Sequence, residues 1–197
     1  MSKTIAFFDF DGTVTTKDSF IETIKFHKGK QAFYIGFTLL MPMLVLYKLK
    51  LIPNWKAKEL VLQYFFKNTP IAIFEAAAAN FATTEIPKML RPKAIEKLIW
   101  HKDNGHRIVI VSASATHWLR AWTEALNLEL IGTELEIKEA NITGRLASAN
   151  CYGKEKANRI KALIDLSEYD TIYAYGDSRG DREMLALATH PHYRYFE

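Results

Sequence analysis

IAFFDFDGTVT, residues 5–15, opens with four apolar residues, Ile5 to Phe8, and changes character at Asp9. A short, fully apolar run with aromatic bulk is the mark of a strand buried on both faces. Asp9 and Asp11 stand two residues apart, so in an extended segment they project from the same side. Gly12 then permits a sharp turn. Close carboxylates repel, and both ionise readily only with a cation between them. A hard divalent ion such as Mg²⁺ suits oxygen donors of this kind. Asp-x-Asp-Gly is also a common turn or helix cap, so this stretch alone leaves two readings open. A calcium loop is not one of them, because the acids and terminal Glu of an EF-hand are out of register after Asp9.

Two further segments repeat the pattern. Arg107 to Val111 (RIVIV) and Thr171 to Tyr175 (TIYAY) are short apolar runs, followed by Ser112 and, one residue further on, Asp177. Helical patterns separate them: Pro92 to Lys102, stopping at Asn104-Gly105, then Glu155 to Leu166 and Asp181 to Ala188. Strand alternating with helix predicts a doubly wound α/β fold, a parallel sheet covered on both faces, with ligands just beyond the carboxyl ends of the strands. Asp9, Ser112 and Asp177 all fall there. Singly, Asp177 and Asp181 read as loop and cap residues. Two Asp-bearing strand ends in one parallel sheet converge on one crevice, which capping does not explain.

Two segments depart from the pattern. Glu134 to Ala147 alternates and contains Asn141 and Gly144, the signature of a β-hairpin flap. Residues 18–90 are long, helix-rich and without a clear strand. They read as a helical cap inserted after the first strand, leaving 1–17 and 91–197 as the catalytic core.

Composition narrows the class. The 197 residues carry a net charge of +4 and a hydrophobic fraction of 49%, those of a folded globular chain. The single cysteine, Cys151, allows no internal disulfide and no cysteine cluster for zinc, and a reducing, cytoplasmic setting follows from it. The short start before Asp9 does not read as a signal peptide. Between Asp18 and Lys88 there are nine lysines and five acids, so the whole positive surplus sits in the cap. No nucleic-acid recognition motif appears, and the basic segment is interleaved with aliphatic residues, which argues against a nucleic-acid partner.

Within the cap, Gln31 to Tyr47 carries no charge, and no acid occurs from Thr23 to Lys58. Lys25, Lys28, Lys30, Lys48, Lys50, Lys56 and Lys58 flank the apolar run. Three readings are open: a buried cap helix kinked at Pro42, a peripheral contact with an anionic membrane, at its inner face, or a transmembrane span, for which the run is slightly short and holds Gly36 and Pro42.

The set Asp9-Phe10-Asp11-Gly12-Thr13, Ser112 after an apolar strand, a lysine within Gly153-Lys154-Glu155-Lys156, and Gly176-Asp177-Ser178-Arg179-Gly180-Asp181 resembles the haloacid dehalogenase superfamily. It is most similar to the phosphoserine-phosphatase-like branch, in which a cap follows the first motif. Ile131 to Glu136 and Asn150 to Gly153 resemble that branch too. The resemblance implies a phosphatase acting through an aspartyl-phosphate. Asp9 would attack phosphorus, and Asp11 would protonate the leaving oxygen and then deprotonate water. Asp9, the Asp11 main-chain carbonyl and Asp177 would hold Mg²⁺. Ser112 and a lysine would bind phosphoryl oxygens, with Phe10 and Asp11 contributing to the phosphate site. Asp181 would orient a metal-bound water or the lysine. Lys156 fits the branch's Gly-x-x-Lys pattern, with Lys154 as the alternative.

The charge-free cap suits a lipid phosphate, and some bacterial phosphatidylglycerophosphate phosphatases resemble this arrangement. A small-metabolite phosphatase of phosphoserine or histidinol-phosphate type is the alternative, followed by a membrane-binding, non-enzymatic protein on the same fold. Outside these motifs, Ser114 reads as loop polarity, His117 as a helix-surface residue, and Trp118 and Trp122, at i and i+4, as core packing.

Overall fold

The computed structural model describes residues 3–197. In chain order the elements are β1 (Thr4–Phe8), α1 (Ser19–Leu39), α2 (Met41–Lys48), α3 (Asn54–Phe66), β2 (Thr69–Pro70), α4 (Ile71–Thr84), α5 (Pro92–Asp103), β3 (Arg107–Ala115), α6 (Thr116–Ala125), β4 (Glu129–Thr133), β5 (Leu135–Lys138), β6 (Asn141–Leu146), α7 (Lys154–Leu163), β7 (Thr171–Gly176), α8 (Arg182–Leu185) and β8 (His190–Tyr193). The main sheet has the order β4-β3-β1-β7-β8, and every pairing in it is parallel.

The apolar runs are continuous because both faces of this sheet are buried. Ala6, Phe8, Ile108, Ile110 and Tyr175 belong to one cluster with Leu98, Trp118 and Leu119. Ile5, Phe7, Val109 and Val111, at the opposite parity, meet Ile160 of α7 and Met184 of α8 on the other side. Removing a side chain such as Phe8 from so closed a core costs about 3–5 kcal/mol. The doubly wound α/β reading is therefore the observed fold.

Two sheet strands escaped the sequence reading. β4 and β8 lie at the two edges, where patterning is weakest. β8 reads His-Pro-His-Tyr, and Pro191 is tolerated there because an edge strand has one side free of the ladder. The β3 strand is longer than its apolar run, so Ser112 and Ser114 lie inside it, next to a register irregularity between Val111 and Ala115.

The hairpin is β5–β6, joined by Glu139-Ala140, both at positive φ (49° and 59°). That is the two-residue turn type matching sheet twist, here built without its usual Asn-Gly. Gly144 serves another purpose: a Cβ there would sit 2.5 Å from the Gln63 Cα, so its absence lets the hairpin lie against α3. Segment 18–90 does contain a strand, the two-residue β2, which pairs antiparallel with β6.

Helix α4 packs on α6, and Phe74, Phe81 and Ala82 of α4 join the buried cluster that holds Phe8 and Trp118. The apolar run is not the buried, Pro42-kinked helix. The chain bends by 64° between α1 and α2, at Leu40, and Pro42 occupies the first turn of α2. Proline has no N–H and crowds the preceding turn, so the helix ends before it and restarts with it. α1 is also broken at Gly29 (φ 80°, ψ 156°). Among the described residues no single helix is long and apolar enough to cross a membrane.

Candidate active site

Asp9 is the first residue beyond β1, and its N–H donates to the Tyr175 carbonyl at 2.9 Å, which ties it to the end of β7. Gly12 follows at φ 87°. A Cβ at Gly12 would lie 2.5 Å from Asp177 Oδ2, so the bare glycine is what lets the loops after β1 and β7 touch. Thr13 joins them, its hydroxyl within 3.0 Å of Asp9 Oδ2 and 3.1 Å of Asp177 Oδ1.

Lys156 reaches this point from the first turn of α7. Its Nζ donates to Asp9 Oδ1 at 2.5 Å and to Asp181 Oδ1 at 2.7 Å, and the residue is only 1% exposed. Lys154 points to solvent, so of the two lysines only Lys156 enters the cluster. Asp181 divides its carboxylate. Oδ1 meets Lys156, while Oδ2 accepts from the Ser178 N–H and hydroxyl in a capping box on the 3₁₀ turn Arg179–Asp181. Its two oxygens thus divide between the lysine and the capping box, in which the N-cap is Ser178 and Asp181 the third residue of the turn.

Asp9, Asp177 and Asp181 each offer a carboxylate oxygen within 4.8 Å of the others. Of these three carboxylates Lys156 pairs with two, Asp9 and Asp181, while Asp177 is held by the Thr13 hydroxyl. Burial pushes Asp9 up to about 8 against the pull of Lys156, and the nearby Asp181 adds to the rise. Asp177 is raised, again by burial and then by Asp181. Burial also works against Asp181, but the Lys156 charge and the hydrogen bonds outweigh it and hold Asp181 below the usual range. Burial likewise opposes the charge on Lys156, yet Asp9 and Asp181 raise it. With all three acids ionised the cluster carries two uncompensated negative charges, so this donor set fits a hard divalent cation.

Residues 6–186, nearly the whole chain, match the family model for haloacid dehalogenase-like hydrolases. The chain belongs to that family. Among relatives, protein CicA of Caulobacter vibrioides is 35% identical over 191 residues, covering 96% of this hydrolase and 85% of CicA. A phosphoserine phosphatase of Archaeoglobus fulgidus is 26% identical over 125 residues, 62% of this chain and 34% of that one. Among solved structures, a Bordetella pertussis protein of unknown function superposes with a TM-score of 0.80 at 21% identity, covering 96% of this chain and 88% of its own. A probable phosphoserine phosphatase from Vibrio cholerae gives 0.69 at 18% identity, with 94% and 54% coverage. At those identities the structures bear on the fold.

The remaining motif residues of the hydrolase are distributed as follows. Phe10 turns its ring into the core against Trp122 at 5.1 Å, leaving only its main chain for the site. Ser112 is wholly buried, and its Oγ accepts from the Ser114 N–H at 3.0 Å. The cleft wall along β3 is formed by Ala113 and Ser114.

Asp11 turns both carboxylate oxygens toward α1 and β3: Oδ1 accepts from the Ser19 N–H and Oδ2 from the Ser114 hydroxyl, each at 2.6 Å. Ser19 Oγ lies 3.0 Å from Ser114 Oγ and accepts from the Trp118 indole N–H at 3.1 Å. Because the one Ser114 hydroxyl hydrogen goes to the Asp11 carboxylate, its oxygen accepts from Ser19, and the chain runs from Trp118 through Ser19 and Ser114 to Asp11. Burial pushes Asp11 up to about 6, helped by the Asp18 charge and opposed by the Ser114 and Ser19 bonds. Ser114 is thus not loop polarity, and Trp118 has a polar task besides packing. His117 is not a surface residue either; it is half-buried, its ring edge-on to Phe74. Nothing in local sequence announces the relay, since its four members come from four separate elements.

Above the acids lies a cleft of about 300 Å³, at the lower end of small-ligand sites. Phe20, Ile21, Phe37, Leu44 and Val61 supply an apolar wall. Asp18, Asn54 and Lys58 interrupt it, also from the 18–90 segment. Lys58 donates to the Ala113 carbonyl at 2.8 Å and to Asn150 Oδ1 at 3.0 Å, and burial pushes its ammonium down to about 8 despite Asp11 and Asp18. In the sequence Lys58 was one lysine in a basic run; only the fold distinguishes it.

Proposed function

We propose that this phosphatase hydrolyses phosphate monoesters through a covalent phosphate on Asp9. One observation carries the reading: Asp9, Asp177 and Asp181, from opposite ends of the chain, converge within 4.8 Å of one another, with the buried Lys156 paired to Asp9 and Asp181. An Asp9 oxygen attacks phosphorus, and the ester P–O bond breaks with its electron pair leaving on the alcohol oxygen. Asp11 gives that oxygen its proton. In the second half a water attacks the same phosphorus, Asp11 takes the water's proton, and the P–O bond to Asp9 breaks to return the carboxylate and release inorganic phosphate.

Lys156, the Ser112 hydroxyl and the main chain of Phe10 and Asp11 are the groups of this chain suited to phosphoryl oxygens. Asp9, the Asp11 carbonyl and Asp177 would hold Mg²⁺, with Asp181 steering Lys156 and the metal's water. When bound, the ion neutralises phosphoryl charge and offsets the repulsion among the carboxylates.

The apolar wall of Phe20, Ile21, Phe37 and Leu44 supports an ester with an apolar group, of which a lipid phosphate is the clearest case. A second reading has its own support. Asp18 and Lys58 put opposite charges on one wall, which suits a small zwitterionic ester such as phosphoserine. The test is phosphate release, with and without Mg²⁺, from lysophosphatidic acid, phosphatidylglycerophosphate and phosphoserine. Release should need Mg²⁺, and Asp9→Asn should abolish it for every substrate; a variant with wild-type turnover removes Asp9 as nucleophile.

A further inference from the structure

Helices α1 and α2 present an apolar surface that the chain itself does not cover. In α2 all residues from Met41 to Tyr47 are apolar, yet none of the helix is fully buried. Ile35 is 61% exposed, Leu39 64%, and Leu49, just past α2, 63%. Phe37, Leu44 and Tyr47 on the same two helices line the active-site cleft, so the crest of Ile35, Leu39, Met41, Val45, Leu46 and Leu49 is their outer flank. A helix apolar on every side belongs in an apolar medium, and a contiguous exposed apolar patch marks an interaction surface.

Charge identifies the medium. Lys28 and Lys30 stand at one end of this surface and Lys48 and Lys50 at the other, all exposed. Lys25 pairs with Glu22 and Lys56 with Glu59, but these four have no carboxylate partner among the described residues. With no acid from Thr23 to Lys58, the segment that carries the crest is charged with one sign only. A second copy of the chain seated on the crest would bring the same unbalanced lysines face to face. An anionic bilayer answers both features at once, acyl chains meeting the leucines and headgroups meeting the lysines. The 64° bend between the helices favours lying in the interface over crossing it.

We propose that the α1–α2 crest is a docking surface for an anionic lipid bilayer. The inference does not depend on which ester the active site hydrolyses.

The test is cosedimentation of the full chain with vesicles of phosphatidylcholine alone and of phosphatidylcholine mixed with phosphatidylglycerol, at low and high salt. The protein should pellet with the anionic vesicles at low salt, and less so as salt rises. Lys48→Gln with Lys50→Gln should weaken partitioning about 25-fold, at roughly fivefold for each lysine near the surface. Leu39→Glu with Leu46→Glu should abolish it, while unchanged melting curves show both variants folded. Wild-type protein that stays in the supernatant with anionic vesicles at low salt overturns the proposal. So does binding that the double glutamate variant leaves intact. A dimer in light scattering that Leu39→Glu dissolves, without vesicle binding, would make a second copy the cover instead.

Discussion

Ser114→Ala probes the relay that holds Asp11. The substitution removes the 2.6 Å bond from the Ser114 hydroxyl to Asp11 Oδ2 and leaves the Ser19 N–H as the remaining donor. A hydrogen bond to a charged group is worth about 1.5–3 kcal/mol, and one pKa unit corresponds to about 1.4 kcal/mol. Losing it disfavours the ionised carboxylate, so Asp11 should climb by about one to two units from its value of about 6. In the proposed mechanism Asp11 must be ionised to act as the base of the second half-reaction, so where that half limits turnover the carboxylate form sets the rate. The acidic limb of kcat, measured at saturating Mg²⁺ with a soluble ester, should therefore move to higher pH by that amount. Near pH 7 the loss should reach about tenfold at most, and it should vanish at alkaline pH. Trp118→Phe, which removes only the far donor, should shift the limb in the same direction by less. A limb that stays in place, or a rate that drops equally at every pH, would refute the relay.

Gly12→Ala puts a Cβ at positive φ and against Asp177 Oδ2; it should cost about 1–2 kcal/mol of stability and weaken Mg²⁺ binding by about tenfold or more in calorimetry, and unchanged affinity would mean that Asp177 is not a ligand. Replacing Glu139-Ala140 by Asn-Gly relieves two positive φ values in the β5–β6 turn and should stabilise by about 1–2 kcal/mol in urea unfolding without changing kcat. The metal-free protein should lose stability as pH rises from 6.5 toward about 8. Over that window the folded state keeps a proton on Asp9, raised from 3.8 to about 8, that the unfolded chain has already lost. Below 6.5 that trend is opposed, because His27 and His101, depressed to about 4 and about 3, stay neutral in the fold while the unfolded chain protonates them. Thermal melts in EDTA should show the alkaline fall, and Mg²⁺ should remove it.

Much of the fold was legible in the chain because it rests on short-range chemistry. Ile5–Phe8, Arg107–Val111 and Thr171–Tyr175 are apolar without alternation because both of their faces are covered, and each appears as a strand of the parallel sheet. The acids after β1 and β7 follow the same logic, since parallel strands deliver their carboxyl ends to one edge. Edge strands β4 and β8 carry no such signature: the free side of an edge accepts Pro191, and Gly132 answers a close approach, since a Cβ there would lie 2.8 Å from Thr116 Cγ2.

What tertiary structure alone decided is which of several similar residues faces which. Lys156 and Lys154 are two positions apart on α7, and only docking of that helix beside Asp9 and Asp181 buries one and exposes the other. Ser114 reaches Asp11 across 103 residues of chain and Trp118 reaches Ser19 across 99, and Lys58 leaves its basic run to line the cleft. The apolar run from Gln31 to Tyr47 declared its composition in the sequence, but not that its outer flank would remain uncovered. Residue type and spacing set the local geometry of a chain, whereas burial and partnership depend on distant segments that arrive only when the core closes.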